Sequence, residues 1–145
     1  MKVVIVSGFF NPLHGGHLDM IEAAALMGDK LIVIVNNDIQ QVIKKGKVIL
    51  NEQNRARLMG ALRVVDDAVI SIDEDPTVIR TLQMIAIQHP NDKLIFANGG
   101  DRDSEKVIPE TAVCHDYKIE MVMAVGGVDK ADSSTRINQA LGHKK

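Results

Sequence analysis

Four consecutive β-branched residues, Val3-Val4-Ile5-Val6, lead into Ser7-Gly8-Phe9-Phe10-Asn11-Pro12-Leu13-His14-Gly15-Gly16-His17. After this loop come Leu18, Ile21, Glu22, Ala25 and Leu26, spaced as on one helix face. The chain therefore reads as a strand, a glycine-rich loop with two histidines, and a helix. A strand that is apolar on both faces needs cover on both, which parallel sheets obtain from crossover helices. A helix start also carries the positive end of the backbone dipole, which suits an anion such as phosphate.

The same alternation continues along the chain. The first strand is read over residues 2–7 and the first helix over 16–27, with Gly28 as its stop. Leu31–Val35 is a second strand, followed by a polar, lysine-bearing segment from Asn36 to Lys47 that reads as a loop. A helix capped by Asn51 runs to Arg63, and Ala68–Ile72 is a third strand. Asp75-Pro76 starts a helix that reaches Gln88, and Pro90 follows its end. Leu94–Ala97 is a fourth strand, Asn98–Asp101 a loop, and a helical piece follows Pro109. Ile119–Val125 is a fifth strand, and a short helix begins at Ser133. Right-handed crossovers make this a doubly wound fold, and the expected architecture is an α/β, Rossmann-like domain with a five-stranded parallel sheet of order 3-2-1-4-5. Strands one and four are then neighbours, and ligands belong outside their C-terminal ends, where the winding reverses.

Composition narrows the function classes. The 145 residues suit a single domain, 1–145, with a core of its own. Aromatic residues make up only 3% with no Trp, and the net charge is −2, so neither a base-stacking platform nor a nucleic-acid footprint is present. No apolar run approaches a membrane span. The lone Cys114 suits a reducing cytoplasm and reads as a small buried side chain in a helix.

Four groups carry chemistry. His14 and His17 flank Gly15-Gly16, which lets backbone approach a phosphate closely while either imidazole stabilises charge developing on phosphorus. Asn98-Gly99-Gly100-Asp101-Arg102 would face that loop, its glycines admitting a base or ribose and Asp101 binding a hydroxyl or a metal. Read alone, that stretch is also plain turn chemistry. Ser133-Ser134-Thr135 places three hydroxyls at a helix start, more than an N-cap needs. Lys44, Lys45 and Lys47 with Arg55 offer point charges and a bidentate grip for an anionic substrate, although loop lysines are as readily solvated.

On these residues the chain resembles the cytidylyltransferase-like nucleotidyltransferases, a family that includes glycerol-3-phosphate cytidylyltransferase and the adenylyltransferase that forms ADP-heptose. The likeness runs over nearly the whole chain. Gly8-Phe9-Phe10-Asn11 with His14-Gly15-Gly16-His17 is similar to the first family signature, Asn51–Arg55 through Val65-Asp66 to its central helix, and Gly99-Gly100-Asp101 to the loop after the fourth strand. Ser133-Ser134-Thr135 is similar to the second signature. Two positions depart from the pattern: Asn11 stands where the family usually has an acid, and Val128 where cytidylyltransferases usually carry an arginine.

The resemblance implies roles. His14, His17 and Lys44 would be catalytic, with the histidines stabilising the transition state at the α-phosphorus. Gly8, Phe9, Phe10, Asn11, Gly16, Asn98, Gly99 and Asp101 would bind the nucleotide. Ser133, Ser134 and Thr135 would hold its β- and γ-phosphates, and Lys45 and Arg55 the substrate phosphates. The implied reaction moves CMP or AMP from CTP or ATP to a small phosphorylated alcohol or sugar phosphate and releases pyrophosphate, with Mg²⁺ and no assigned metal ligands. A phosphate nucleophile is already ionised, so positioning and charge stabilisation carry the catalysis. Related enzymes suggest a cytoplasmic homodimer without nucleic-acid or membrane partners. The alternative is a nucleotide-binding or sensing module without turnover.

Overall fold

A computed structural model describes residues 1–10, 15–48, 50–99 and 109–125. The elements in chain order are β1 (Lys2–Gly8), α1 (Gly15–Ala25), β2 (Lys30–Val35), α2 (Asp38–Lys45), α3 (Glu52–Gly60), β3 (Asp67–Ile70), α4 (Ile79–Gln88), β4 (Lys93–Gly99), α5 (Thr111–Asp116) and β5 (Glu120–Val125). The strands form one sheet of order β3-β2-β1-β4-β5, and each neighbouring pair is parallel. This is the topology expected from the alternation of runs. The short helix expected from Ser133 lies outside the described residues.

Strand alternation divides the core into two layers. Val3 and Ile5 of β1, Ile32 and Ile34 of β2 and Leu94 and Phe96 of β4 face one way, against Leu82 and Ile85 of α4 and Val113 and Cys114 of α5. Val4 and Val6, Leu31, Val33 and Val35, and Ile95 and Ala97 face the other way, against Ile21 and Ala24 of α1 and Met59 of α3. The four residues Val3–Val6 are fully buried. Each such side chain contributes about 1.5–3 kcal/mol relative to exposure, so β1 anchors both layers. Among the described residues no helix is long and apolar enough to cross a membrane.

The structure corrects several local expectations. Asn36–Lys47 is not a loop, because α2 occupies its centre. Asn37 caps this helix by accepting from the Gln40 N–H, and the Gln40 side chain accepts in return from the Asn37 N–H. Gly46, at φ 70°, ends the helix by donating to the Val42 carbonyl in the left-handed conformation that glycine adopts without strain. This helix turns its polar side inward: Gln40 and Gln41 are buried, while Ile39, Val42 and Ile43 are each more than half exposed. A reading that assigns apolar residues to the core cannot recognise such a helix.

The helix expected from Asp75-Pro76 begins later, at Ile79. Asp75 instead closes a local turn by accepting from the Thr77 N–H and hydroxyl. Asp73 satisfies the first turn of α4, its carboxylate accepting from the N–H groups of Arg80 and Thr81. The helix from Asn51 stops at Gly60 rather than Arg63. Asn98 and Gly99, expected in a loop, complete β4.

Candidate active site

β1 ends at Gly8, and α1 resumes at Gly15 with His17 in its first turn. The first-loop histidine therefore sits at the N-terminus of a helix, on the rim formed by the C-terminal strand ends. β4 is hydrogen-bonded beside β1 and brings Asn98 and Gly99 to the same rim. Asn98 is buried, with its amide donating weakly to the Phe96 carbonyl at 3.4 Å. Gly99 pairs with Val125 of β5 beyond a register shift.

Between β1 and α1 the two phenylalanines diverge. Phe10 has φ 51°, a left-handed conformation that is a true outlier for a bulky side chain. The turn sends its ring inward, where it is 2% exposed. There it meets the His17 imidazole edge to face, with ring centroids 4.9 Å apart and planes at 77°. Phe9 turns outward and is half-buried. The Lys44 ammonium of α2 lies 4.6 Å above the Phe9 ring centroid, within cation–π range. The inward polar face of α2 is thus what carries Lys44 to the loop.

Arg55 is placed differently from the phosphate grip expected of it. Its side chain lies inside the protein at 1% exposure. Nε donates to the Leu50 carbonyl at 2.8 Å, and Nη1 donates to the carbonyls of Phe9 at 2.7 Å and Asn36 at 2.6 Å. Nη2 pairs with the Asp38 carboxylate at 2.6 Å. The guanidinium therefore ties the backbone leaving β1 to the backbone leaving β2. A planar fork with fixed donors suits that task, which a lysine could not perform.

The end of β2 is held by a buried polar network that sequence reasoning missed. The Gln40 Oε1 accepts from the Asn36 amide, the Asn37 N–H and the Ser71 hydroxyl. Its Nε2 donates to the carbonyls of Asp75 and Thr77, both at 2.7 Å. The Asn37 amide donates to the carbonyls of Ser71 and Asp73. The Asn36 N–H donates to Gly8 O at 2.9 Å, which joins this network to the end of β1. The one available signal was Asn37 with Gln40 three positions later, a capping-box spacing. Among the described residues, Gln41 Oε1 is a buried side-chain atom without a hydrogen-bond partner.

The structure thus brings together Gly8, Phe9, Phe10, Gly16, His17, Lys44 and the end of β4. Lys45 belongs to α2, but its side chain is not described. Asn11, His14, Asp101, Ser133, Ser134 and Thr135 lie outside the described residues. Among the described residues no three of His, Cys, Asp and Glu converge as a metal ion requires. Cys114 is buried on the core side of α5, where burial, followed by the Glu110 carboxylate, pushes its thiol up to about 11. A thiol so held is a packing group and not a nucleophile.

A parallel sheet reversing its winding between β1 and β4, with a helix start and a histidine at that point, defines an α/β domain with its ligand rim at the strand ends. The cytidylyltransferase-like family model matches residues 5–144, and the chain belongs to that family of nucleotidyltransferases. Among its relatives, bifunctional protein HldE of Gluconobacter oxydans is 35% identical over 140 residues, 94% of this chain and 26% of that protein. FAD synthase of Ferroglobus placidus is 40% identical over 75 residues, 52% of this chain and 49% of that protein. The crystal structure of a lipopolysaccharide core biosynthesis protein from Thermoplasma volcanium superposes with TM-score 0.69 at 25% identity, covering 91% of this chain and 99% of that one. The chain spans about a quarter of the length of the HldE proteins it matches.

Proposed function

We propose that this chain transfers a nucleoside monophosphate from a nucleoside triphosphate to the phosphate of a small phosphorylated alcohol or sugar. An acceptor phosphate oxygen attacks the α-phosphorus in line. The new P–O bond forms as the α–β bridging bond breaks, and the electron pair leaves with pyrophosphate. The observation that supports this reading is the placement of His17 at the start of α1 and of Lys44 over Phe9, beside the rim where β1 and β4 end. His17 and Lys44 supply donors for charge developing on the phosphates, an effect worth about 10²–10³ in turnover for a single well-placed donor.

The other roles follow the family pattern. His14 joins His17 at the α-phosphate. Asn11, Gly16, Gly99 and Asp101 frame the nucleotide, and Ser133, Ser134 and Thr135 take the β- and γ-phosphates. Lys45 contacts the acceptor phosphate. Mg²⁺ would accompany the triphosphate as its counter-ion and supply charge neutralisation there. The FAD synthase likeness favours ATP over CTP as donor, because FAD is an adenylate of a flavin phosphate. Residues 1–145 act as one domain, in the cytoplasm and as a homodimer, without nucleic acid or membrane as partner. The net charge of −2 and the buried lone Cys114 support the absence of a nucleic-acid partner and the reducing compartment, respectively.

The test is pyrophosphate release on incubation with ATP or CTP, Mg²⁺ and a panel of sugar, polyol and flavin phosphates. One donor–acceptor pair is expected to release pyrophosphate in step with formation of the nucleotidyl product. A second reading, nucleotide binding without turnover, is favoured by Asn11 at a position where the family usually has an acid. Nucleotide binding with no pyrophosphate from any pair would establish that reading instead.

A further inference from the structure

Phe10 stands in the first family signature, but its ring is turned away from the rim and buried at 2% exposure. The conformation that sends it there is unfavourable for phenylalanine, at φ 51°. Strain of this kind, of order 1–3 kcal/mol, persists only where the surroundings over-determine it. Three contacts do so here. Arg55 Nη1 holds the preceding Phe9 carbonyl at 2.7 Å. The Phe10 ring meets His17 edge to face at 4.9 Å. The same ring lies against the bare Cα of Gly8, where a Cβ would come within 2.7 Å of the Phe10 Cζ. Contacts that close essentially never occur, so Gly8 must lack a side chain for the ring to lie where it does.

From this geometry we infer that Phe10 is a positioning residue, which sets the orientation of the His17 imidazole for the transfer reaction through a ring seated on Gly8. The inference rests on the nucleotidyl-transfer reading for its effect on turnover, and on the structure alone for its effect on His17. A ring packed against an imidazole edge to face at 4.9 Å restricts the rotamers that imidazole can adopt. Phe10 touches no reacting atom and acts only through His17. Gly8 acts one step further back, by leaving room for the ring.

The test compares Phe10→Leu, Gly8→Ala and His17→Ala with the double variants Phe10→Leu/His17→Ala and Gly8→Ala/His17→Ala. Turnover is read as pyrophosphate release at saturating substrates, and the His17 ring protons are followed by NMR in the full chain without ligand. Phe10→Leu is expected to lower kcat about five- to tenfold, the range an aromatic pair supports, with little change in KM for the nucleotide. In the His17→Ala background the same substitution should cost nothing further. The His17 ring protons should lose the ring-current shift imposed by Phe10. Gly8→Ala, which keeps the phenylalanine but displaces its ring, should move the same resonances and show the same dependence on His17, so the answer does not hang on the stability of one variant. An undiminished loss of turnover in the His17→Ala background, or His17 resonances unmoved by both substitutions, would overturn the inference. If the wild-type chain releases no pyrophosphate with any pair, the functional reading fails while the NMR comparison still decides whether Phe10 orients His17.

Discussion

The ends of β1 and β2 lie side by side on the same rim and are built on opposite principles. Beyond β1 the chain leaves through a glycine and a strained phenylalanine, whose ring packs against His17. Beyond β2 it leaves through Asn36 and Asn37 into a network in which Gln40 bonds three donors and two carbonyls. The first corner carries the groups assigned to chemistry. The second holds many hydrogen bonds, and its Asn37 and Gln40 side chains face inward. Arg55 joins the two by bonding the Phe9 and Asn36 carbonyls with one nitrogen. The pairing shows how the backbone leaving β1 can be placed accurately: Arg55 ties it to a neighbouring corner held by a dense buried polar network.

Substitutions can break that contrast. His17→Ala acts at the first corner alone. It should reduce pyrophosphate release by about 10²–10³, while thermal melting shifts by only a few degrees, roughly what loss of one aromatic contact allows. A large fall in stability would mean that the first corner is structural after all. Arg55→Met severs the link and should destabilise the chain by about 3 kcal/mol, because it strands the Asp38 carboxylate and three carbonyls; Asp38 is one-third exposed, which keeps the loss near the low end of the range for buried pairs. Urea unfolding measures this directly. Gln40→Leu loosens only the second corner and should lower stability by about 2 kcal/mol through unsatisfied donors and carbonyls. An unchanged urea midpoint would show that the network is not what makes this corner rigid.

The smallest effect is expected far from both corners, at Cys114. Burial raises its thiol from 9.0 to about 11, so the folded chain holds that proton more tightly than the unfolded one. Its contribution to stability is complete below pH 9 and is lost as pH rises toward and through 11. Denaturation followed between pH 8 and 11 should therefore fall less steeply in Cys114→Ala than in the parent. At pH 8 a thiol reagent should leave Cys114 unmodified until the chain unfolds.

These regions differ equally in how far their sequence could be read. Val3–Val6 is a continuous β-branched run and Leu31–Val35 a continuous apolar one, and such runs suit a central parallel strand buried on both faces. The first-loop motif was legible because glycines and histidines between a strand and a helix are a local pattern. The helix α2 was not legible, because its apolar residues Ile39, Val42 and Ile43 face outward while Gln40 and Gln41 face the interior. Arg55 was misread as a surface grip for a related reason. An arginine on a polar helix is ordinarily solvated, and nothing local says that the carbonyls of Phe9 and Asn36 and the Asp38 carboxylate will surround it. The start of α4 was displaced in the same way, since Asp73, well before the helix, supplies the acceptors for its first turn.

By itself the sequence determined the strands, the helices that cover them and the rim at which the chemistry belongs, because apolar periodicity marks the elements and right-handed crossovers set the winding. Tertiary structure alone decided which polar side chains turn inward, how Arg55 couples two strand ends, and that Phe10 lies beneath Gly8 to face His17. Those choices depend on partners 7 to 46 residues apart in the chain, whose hydrogen bonds and contacts exist only once the strands have been brought side by side.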